Sequence, residues 1–278
     1  MTANRFTLAC VVLTKNEETN LSRCLASVSW CPERLVVDSG STDQTCDLGQ
    51  VLGARVVVHL PTGVFNIAEQ RNWALQSADI QAEWVLFLDA DEEVTPALRV
   101  AIEQVVLNSG CNAFELTPRY LFWGRWLKRT QGFPNWHARL VRRGEVGFTG
   151  GVWEHFDNRA RIGRISEPYN HYANSKGLSD WLARHERYSS WDAQKIMHYL
   201  MTGDAQALGT GRKARLRLLA ARFYPLRPVV RFVHVYFVRL GFLEGLPALV
   251  FSFQYFVYEA FTVIKVWELK RLHHNEPL

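Results

Sequence analysis

Two aspartates one residue apart, Asp89 and Asp91, form the sharpest chemical feature of the sequence. On a turn, carboxylates spaced this way can face one centre. Hard cations such as Mg²⁺ or Mn²⁺ take oxygen ligands of that kind together with a substrate's phosphates, and a cation held there would neutralise a departing diphosphate. In isolation the same residues read as a solvated acidic turn opening a helix, with Glu92 and Glu93 at the positive end of its dipole. Their place directly after the apolar run Trp84–Leu88 favours the first reading, because ligands of open α/β sheets bind beyond the carboxyl ends of the strands. Asp38 ends a second apolar run, where it can accept hydrogen bonds from a base or ribose or form the turn before Ser39-Gly40.

No G-x-G-x-x-G and no G-x-x-x-x-G-K-[ST] occurs, which argues against a dinucleotide oxidoreductase and a P-loop nucleotidase. A bound nucleotide would then need other counter-charges for its diphosphate. A cation, Arg71, or the group Arg139, Arg142 and Arg143 can supply them.

The elements that must carry these residues alternate. Leu8–Leu13 is a continuous apolar run, as expected of a strand buried on both faces. The segment from Glu17 to Ser29 places Leu21, Leu25 and Val28 on one helical face. Arg34–Val37 and Arg55–His59 predict further strands, and between them Ser41-Thr42-Asp43-Gln44 predicts a capping box for a helix ending near Gly53. Asn66 and Glu69 predict the cap of the next helix. A helix at Thr95-Pro96 and a strand over Asn112–Thr117 follow Trp84–Leu88. Alternation of this kind implies a parallel sheet with right-handed crossovers. It brings three polar turns to one edge: Thr14-Lys15-Asn16-Glu17, Asp38-Ser39-Gly40-Ser41 and Asp89-Ala90-Asp91. The stretch Pro118–Tyr172, rich in Trp, Arg, Gly and His, shows no helical period and reads as irregular binding loops.

The chain has 278 residues, of which 48% are hydrophobic and 21% charged, so it can bury a core and is not disordered. A formal net charge of +5 favours anionic partners. The 5 cysteines form no C-x-x-C pair, which implies a reducing compartment and no zinc site. The run Leu8–Leu13 following Met1–Arg5 has the context of a first strand, not of a targeting signal.

Four segments in order resemble family 2 glycosyltransferases: Val11-Val12-Leu13-Thr14-Lys15-Asn16-Glu17-Glu18, Val36-Val37-Asp38-Ser39-Gly40-Ser41-Thr42-Asp43, Gln70-Arg71-Asn72-Trp73-Ala74 and Leu86-Phe87-Leu88-Asp89-Ala90-Asp91-Glu92. Later segments are similar to the bacterial lipopolysaccharide-core β-glucosyltransferase-like group: Gly124-Arg125-Trp126, Ala138 to Gly144, Trp153-Glu154-His155, His171-Tyr172, Arg239 to Gly245 and Lys265 to Leu269. The resemblance implies a GT-A fold, a Rossmann-like and mostly parallel sheet with helices on both faces. It also implies an inverting, Mg²⁺- or Mn²⁺-assisted transfer from a nucleotide-sugar, commonly a UDP-sugar, to a cell-envelope glycan or lipid-linked acceptor. By motif position, Thr14, Asn16, Glu17 and Asp38 would line the nucleoside pocket, and Arg71 and Arg139 would serve the donor phosphates or sugar. Asp89 and Asp91 would hold metal and donor. Inversion needs a general base, and the resemblance points to Glu154, with His155 as its orienter or a metal ligand and His171 as a third metal ligand. Where related sequences carry Tyr-Pro-Asp this chain has Phe133-Pro134-Asn135, and an amide cannot take the proton. A nucleotidyltransferase on a similar scaffold would need a Gly-rich, basic loop after the first strand, which Thr14-Lys15-Asn16 does not provide. A non-catalytic scaffold is disfavoured by the intact acidic residues.

The expected organisation is a catalytic domain over 1–175, with a nucleotide-sugar half over 1–117 and an acceptor-side segment over 118–175. A helical, aromatic and basic region over 176–278 follows. There Arg212, Lys213, Arg215, Arg217, Arg222, Arg227, Arg231 and Arg239 are interleaved with Phe223, Tyr224, Phe232, Tyr236 and Phe237, which suits attachment to anionic lipid. Gly241–Ile264 is apolar over a length near the ~20 residues that span a bilayer. Glu244 and Glu259 within it favour peripheral or monotopic attachment, on the cytoplasmic face of the plasma membrane, over spanning. A helical subdomain packed on the catalytic domain or on a second copy is the other reading. No nucleic-acid module is present.

Overall fold

The structure, a computed structural model, describes residues 7–62, 66–150, 154–208 and 214–278. Met1–Arg5, Trp153, Arg212 and Lys213 from the sequence motifs lie outside the described residues. The elements run β1 (Leu8–Thr14), α1 (Glu18–Ser27), β2 (Glu33–Asp38), α2 (Thr45–Val51), β3 (Arg55–Val58), α3 (Ile67–Ser77), β4 (Trp84–Asp89), β5 (Glu92–Glu93) and α4 (Pro96–Asn108). There follow β6 (Ala113–Phe122), β7 (Arg125–Trp126), β8 (His137–Arg142), β9 (Phe148–Gly150), β10 (Glu154–Phe156) and β11 (Ile162–His171). Helices α5 (Gly177–Thr202), α6 (Ala214–Arg222), α7 (Arg227–Val233) and α8 (Leu246–His273) complete the chain.

The chain divides into two compact units, one made of 1–121 and 133–175 and the other of 122–132 and 176–278. The first holds a mixed sheet in the order β3-β2-β1-β4-β8-β6-β11-β5. Strands β3, β2, β1 and β4 pair in parallel, whereas β8 runs antiparallel to both β4 and β6. Strand β1 explains why its sequence is apolar throughout. Leu8, Cys10 and Val12 join the core built with Leu21 and Leu25 of α1 and Leu98 and Ile102 of α4. Ala9, Val11 and Leu13 face the opposite core, with Ala68 and Ala74 of α3 and Phe148. Alternate side chains of one strand thus feed two hydrophobic layers, and each buried Val or Leu contributes about 1.5–3 kcal/mol.

Two expectations are corrected. The residues 118–172 are not mostly irregular: β6, β8, β9, β10 and β11 occupy much of them. Their side chains alternate too weakly for a strand period because both faces of β8 are covered, with Ala138, Leu140 and Val141 all buried. The capping box at Ser41–Gln44 does not form. Helix α2 starts at Thr45 with no side-chain cap, because Ser41 Oγ bonds Asp38 instead and the Asp43 carboxylate accepts from the Thr45 N–H. The predicted helix opening at Thr95-Pro96 is made: Glu92 and Glu93 form β5, and α4 begins at Pro96 under the Thr95 cap. The predicted Asn66 cap is made, with its side-chain oxygen accepting from the Ala68 and Glu69 N–H groups.

The second unit is helical. Ala193, Ile196, Ala221, Tyr224, Val263 and Val266 form one core cluster; Phe122, Leu127, Ala248 and Phe251 form another. The segment 122–132 belongs to this unit, where the buried Glu244 carboxylate accepts from the Arg129 and Thr130 N–H groups and the Thr130 hydroxyl. Helix α8 is long and apolar enough to cross a membrane by length and composition. Of its two acidic residues, Glu259 is taken up inside the unit by Arg227 at 2.7 Å.

Candidate active site

The turns after β1 and β2 lock into each other. Asn16 takes a left-handed backbone conformation (φ 56°). Its N–H donates to Ser41 Oγ (2.7 Å), and its side-chain oxygen accepts from the Thr42 N–H (2.7 Å). The Glu17 N–H donates to Thr45 Oγ1, and Glu17 Oε2 accepts from the Asn20 amide. Beneath them Asp38 is buried. Its Oδ1 accepts from the Gly40 and Ser41 N–H groups (2.9 and 2.7 Å), and its Oδ2 accepts from the Thr14 and Ser41 hydroxyls. Burial opposes the charge, but these donors outweigh it and hold the carboxyl below its usual value. With both oxygens engaged twice, Asp38 shapes the turn, while Asn16 and Ser41 are the groups at its surface. Gly40, at φ 87°, supplies the left-handed step that lets both N–H groups reach one oxygen.

The turn after β4 sits on two buried arginines. Arg71 comes from α3 and Arg139 from β8. The β8–β6 register steps from Phe114↔Leu140 to Glu115↔Ala138, leaving Arg139 as the bulged residue, and bulges re-aim side chains beside functional sites. Arg139 Nη2 donates to Asp89 (2.9 Å) and to Glu92 (2.7 Å), and its Nη1 donates to Glu154 Oε1 (3.1 Å). Arg71 Nη1 donates to the same Glu154 oxygen (2.6 Å) and to the Ala138 carbonyl (2.9 Å). Its Nη2 faces Asp89 at 3.6 Å, and the guanidinium lies against the edge-to-face pair of Phe87 and Phe148, 5.5 and 5.2 Å from their ring centroids. Burial and Arg139 lower the affinity of Arg71 for its proton, although its carboxylate partners pull the other way.

Exposure sorts these groups into a face and a backing. The side chain of Arg71 is 0% exposed and that of Arg139 3%, whereas Asp89 is 32%, Asp91 20% and Glu154 9%. The expected direct contact of Arg71 with a donor is therefore not built. Helix α3 packs Arg71 behind Asp89 and Glu154, and both arginines position those carboxylates instead.

Strand pairing brings His171 to Asp91. Residues Glu92 and Glu93 pair with His171 and Asn170 across β5 and β11, and the Tyr172 N–H donates to the Asp91 carbonyl. His171 Nε2 then lies 3.4 Å from Asp91 Oδ2, and its ring stacks near Tyr120. Burial disfavours the imidazolium, but Asp91, Glu92 and Asp89 outweigh it and raise its pKa. Among the described residues no three His, Cys, Asp or Glu side chains already converge as a complete metal site. The donor set nonetheless fits a divalent cation. Asp91 and His171 offer an oxygen and a nitrogen at a separation that ~2.1 Å metal bonds can bridge. His171 Nδ1 is buried without a hydrogen-bond partner. Asp89 and Glu154 already face the two guanidiniums, and Asp91 adds a further carboxylate beside His171.

Other sequence candidates lie elsewhere. On antiparallel β8, Arg142 is opposite Trp84, at the far end of β4. It pairs with Glu83, and Arg143 donates to the Ala82 carbonyl, so neither reaches the site. His155 is exposed, because neighbouring strand residues point to opposite faces, and it does not orient Glu154. Three members of the site escaped sequence reasoning. Glu92 is fully buried under Arg139, and burial pushes its carboxyl up to about 7. Tyr169 is fully buried, with its ring 5.7 Å from Arg139. His137, bonded to Asn135 and Tyr169, is driven down to about 3 by burial and by Arg139. An acidic residue directly after Asp89-Ala90-Asp91 was the one available signal.

Residues 9–139 match the family model described as glycosyl transferase family 2. An uncharacterized glycosyltransferase of Rickettsia conorii is 37% identical over 99 residues, 35% of this chain and 33% of its own length. The lipopolysaccharide core biosynthesis glycosyltransferase LpsC of Rhizobium meliloti is 31% identical over 104 residues, 37% of this chain and 38% of its own. These matches span 33% and 38% of the relatives' lengths. The solved glucosyl-3-phosphoglycerate synthase of Mycobacterium tuberculosis, in complex with Mn²⁺, uridine diphosphate and glucosyl-3-phosphoglycerate, superimposes with a TM-score of 0.46. It is 19% identical, over 64% of this chain and 75% of that one.

Proposed function

We propose, from the match of residues 9–139 to glycosyl transferase family 2, that the chain moves a sugar from a nucleoside-diphosphate sugar, a UDP-sugar first of all, to a hydroxyl of a cell-envelope glycan or glycolipid. One observation carries the reading: Asp89, Asp91, His171 and Glu154 gather at the carboxyl end of β4, with Asp89 and Glu154 held from behind by Arg71 and Arg139. The printed role of LpsC in lipopolysaccharide core biosynthesis supports the acceptor class. An acceptor of that class would put the enzyme at the cytoplasmic side of the plasma membrane.

In this mechanism the loop of Thr14, Asn16, Glu17 and Asp38 receives the nucleoside, with Asn16 and Ser41 presenting its edge. Asp91 and His171, with Asp89 alongside, would hold Mg²⁺ or Mn²⁺, which when bound neutralises the diphosphate as the glycosidic phosphate bond breaks. Glu154 accepts the proton of the acceptor hydroxyl as that oxygen attacks the anomeric carbon from the opposite side. The products are the glycoside of inverted configuration and the nucleoside diphosphate. Arg71 and Arg139 hold Glu154 Oε1 and Asp89 at fixed separation, so geometry is set before the donor arrives.

The test is a donor panel assayed with and without Mn²⁺. Metal-dependent release of nucleoside diphosphate from one sugar nucleotide, lost in Asp91→Ala, is expected. Release of pyrophosphate would assign a nucleotidyltransferase instead, and no release from any donor, with metal and envelope glycolipid present, would overturn the proposal.

A further inference from the structure

The second unit exposes an apolar surface built from consecutive short elements. Helix α7 is followed by a π turn over His234–Val238, a 3₁₀ turn over Gly241–Glu244 and the first turn of α8. Pro228 and Val235 are buried on the inner side of this run, where α7 meets α8. Its outer side is apolar as well: Leu226, Val230, Val233, Phe237, Phe242 and Leu246 are all exposed, Val230 to 60% and Leu246 to 64%. A helix apolar on both sides needs a second covering.

The charge pattern says what covers it. Between Asp204 and Glu244 the sequence has no Asp or Glu and eight Lys or Arg. Arg215, Arg217 and Arg222 of α6 are exposed beside the exposed Leu216, Leu219 and Phe223. The two carboxylates of the apolar segment are turned inward, Glu244 onto Arg129 and Thr130 and Glu259 onto Arg227. A second copy would set like charges against each other. Nucleic acid would find aliphatic side chains where it needs polar donors. An anionic bilayer offers hydrocarbon for the outer face and headgroup charge for the arginines.

We propose that this face, from α6 to the first turn of α8, lies in the plane of an anionic membrane, with its apolar side chains at the acyl boundary. Helix α8 does not cross the membrane. Its length is committed to the unit's own core through Tyr258 to Asp192 (2.6 Å), Lys265 to Glu186 (2.7 Å) and Glu259 to Arg227. The inference rests on this surface and is independent of the transferase chemistry.

The experiment is vesicle flotation of the full chain on phosphatidylcholine alone and on phosphatidylcholine with about a quarter phosphatidylglycerol. Binding about tenfold or more tighter to the anionic vesicles, weakened by salt, is expected. Val230→Asp with Phe237→Asp should abolish binding to both, and Arg215→Glu with Arg217→Glu should remove the anionic preference. Melting temperature and vesicle-free donor turnover, measured on the same samples, should not change, and turnover reports separately on the enzymatic reading. The proposal is overturned if the wild-type chain floats with neither vesicle, or if the Val230→Asp, Phe237→Asp protein floats like wild type. It is equally overturned by alkaline-carbonate-resistant insertion, which means spanning, or by a lipid-free dimer that Val230→Asp dissociates, which assigns the face to a second copy.

Discussion

Arg71 and Glu154 stand 83 residues apart in the chain and 2.6 Å apart in the fold. The guanidinium has no exposure of its own, so Glu154 supplies much of the counter-charge that lets α3 bury it, and Arg71 in turn fixes the carboxylate whose position the proposed chemistry depends on. Arg139 shares the same Glu154 oxygen and passes the constraint on to Asp89 and Glu92.

Replacing Arg71 by Met should leave Glu154 with one cationic partner and Asp89 with a weaker hold. Breaking a buried pair from one side costs about 3–5 kcal/mol, and urea unfolding of the variant should show a loss of that order. Glu154→Gln preserves an acceptor for both arginines, so its stability should drop less. Its turnover should fall about 10²–10⁴-fold, as expected on loss of a general base, with donor affinity retained in an equilibrium binding assay. A Gln variant of wild-type turnover would remove Glu154 from the base role.

Loss of His171 should be read in metal affinity. His171→Ala should weaken Mn²⁺ binding, measured by titration in the presence of nucleoside diphosphate, by more than the roughly 10–100-fold that losing an outer-shell partner costs. Chelation of the metal should then lower the melting temperature of the wild-type protein and leave that of His171→Ala nearly unchanged.

Asp38 makes acid stability predictable in sign. Its carboxyl titrates lower in the folded chain than in the unfolded one, so above the ordinary carboxylate range its stabilisation is fully present. As pH falls through the folded value the carboxylate takes up a proton and that stabilisation is lost. Asp38→Asn should flatten the decline of melting temperature on the acid side and cost about 1.5–3 kcal/mol near neutrality, the scale of a hydrogen bond to a charged group.

Glu244→Ala tests the attachment of 122–132 to the helical unit. It strands two backbone N–H groups and a hydroxyl that now share one carboxylate. Each buried donor left unpaired costs roughly 1–3 kcal/mol. The melting temperature should fall, and hydrogen exchange at Arg129 and Thr130 should accelerate before the sheet's amides do.

Much of the candidate site was legible because it lies where strand ends meet polar residues. Thr14, Asp38 and Asp89 each close a run of buried apolar residues, and a parallel sheet puts such ends on one edge whatever the loops do. His171 and Glu154 were named from motif resemblance alone, since nothing local to them specifies a partner. The pairing of Glu92 with His171 has no signal in the sequence, because it involves a strand of two residues, too short to leave a period. Arg142 and Arg143 looked as suitable as Arg139, and only the antiparallel direction of β8 sends them to the opposite edge.

The amino-acid sequence by itself determined the alternation of strands and helices, the acidic turn after β4 and the basic, acid-free stretch before Glu244, because each is written in neighbouring residues. Tertiary structure alone decided which arginine is backing and which carboxylate is face. Those roles depend on the bulge at Arg139, on the burial of Arg71 against Phe87 and Phe148, and on strand partners drawn from distant parts of the chain. Burial and electrostatic partnership are properties of what surrounds a side chain, and for these residues the surroundings come from segments tens of residues away.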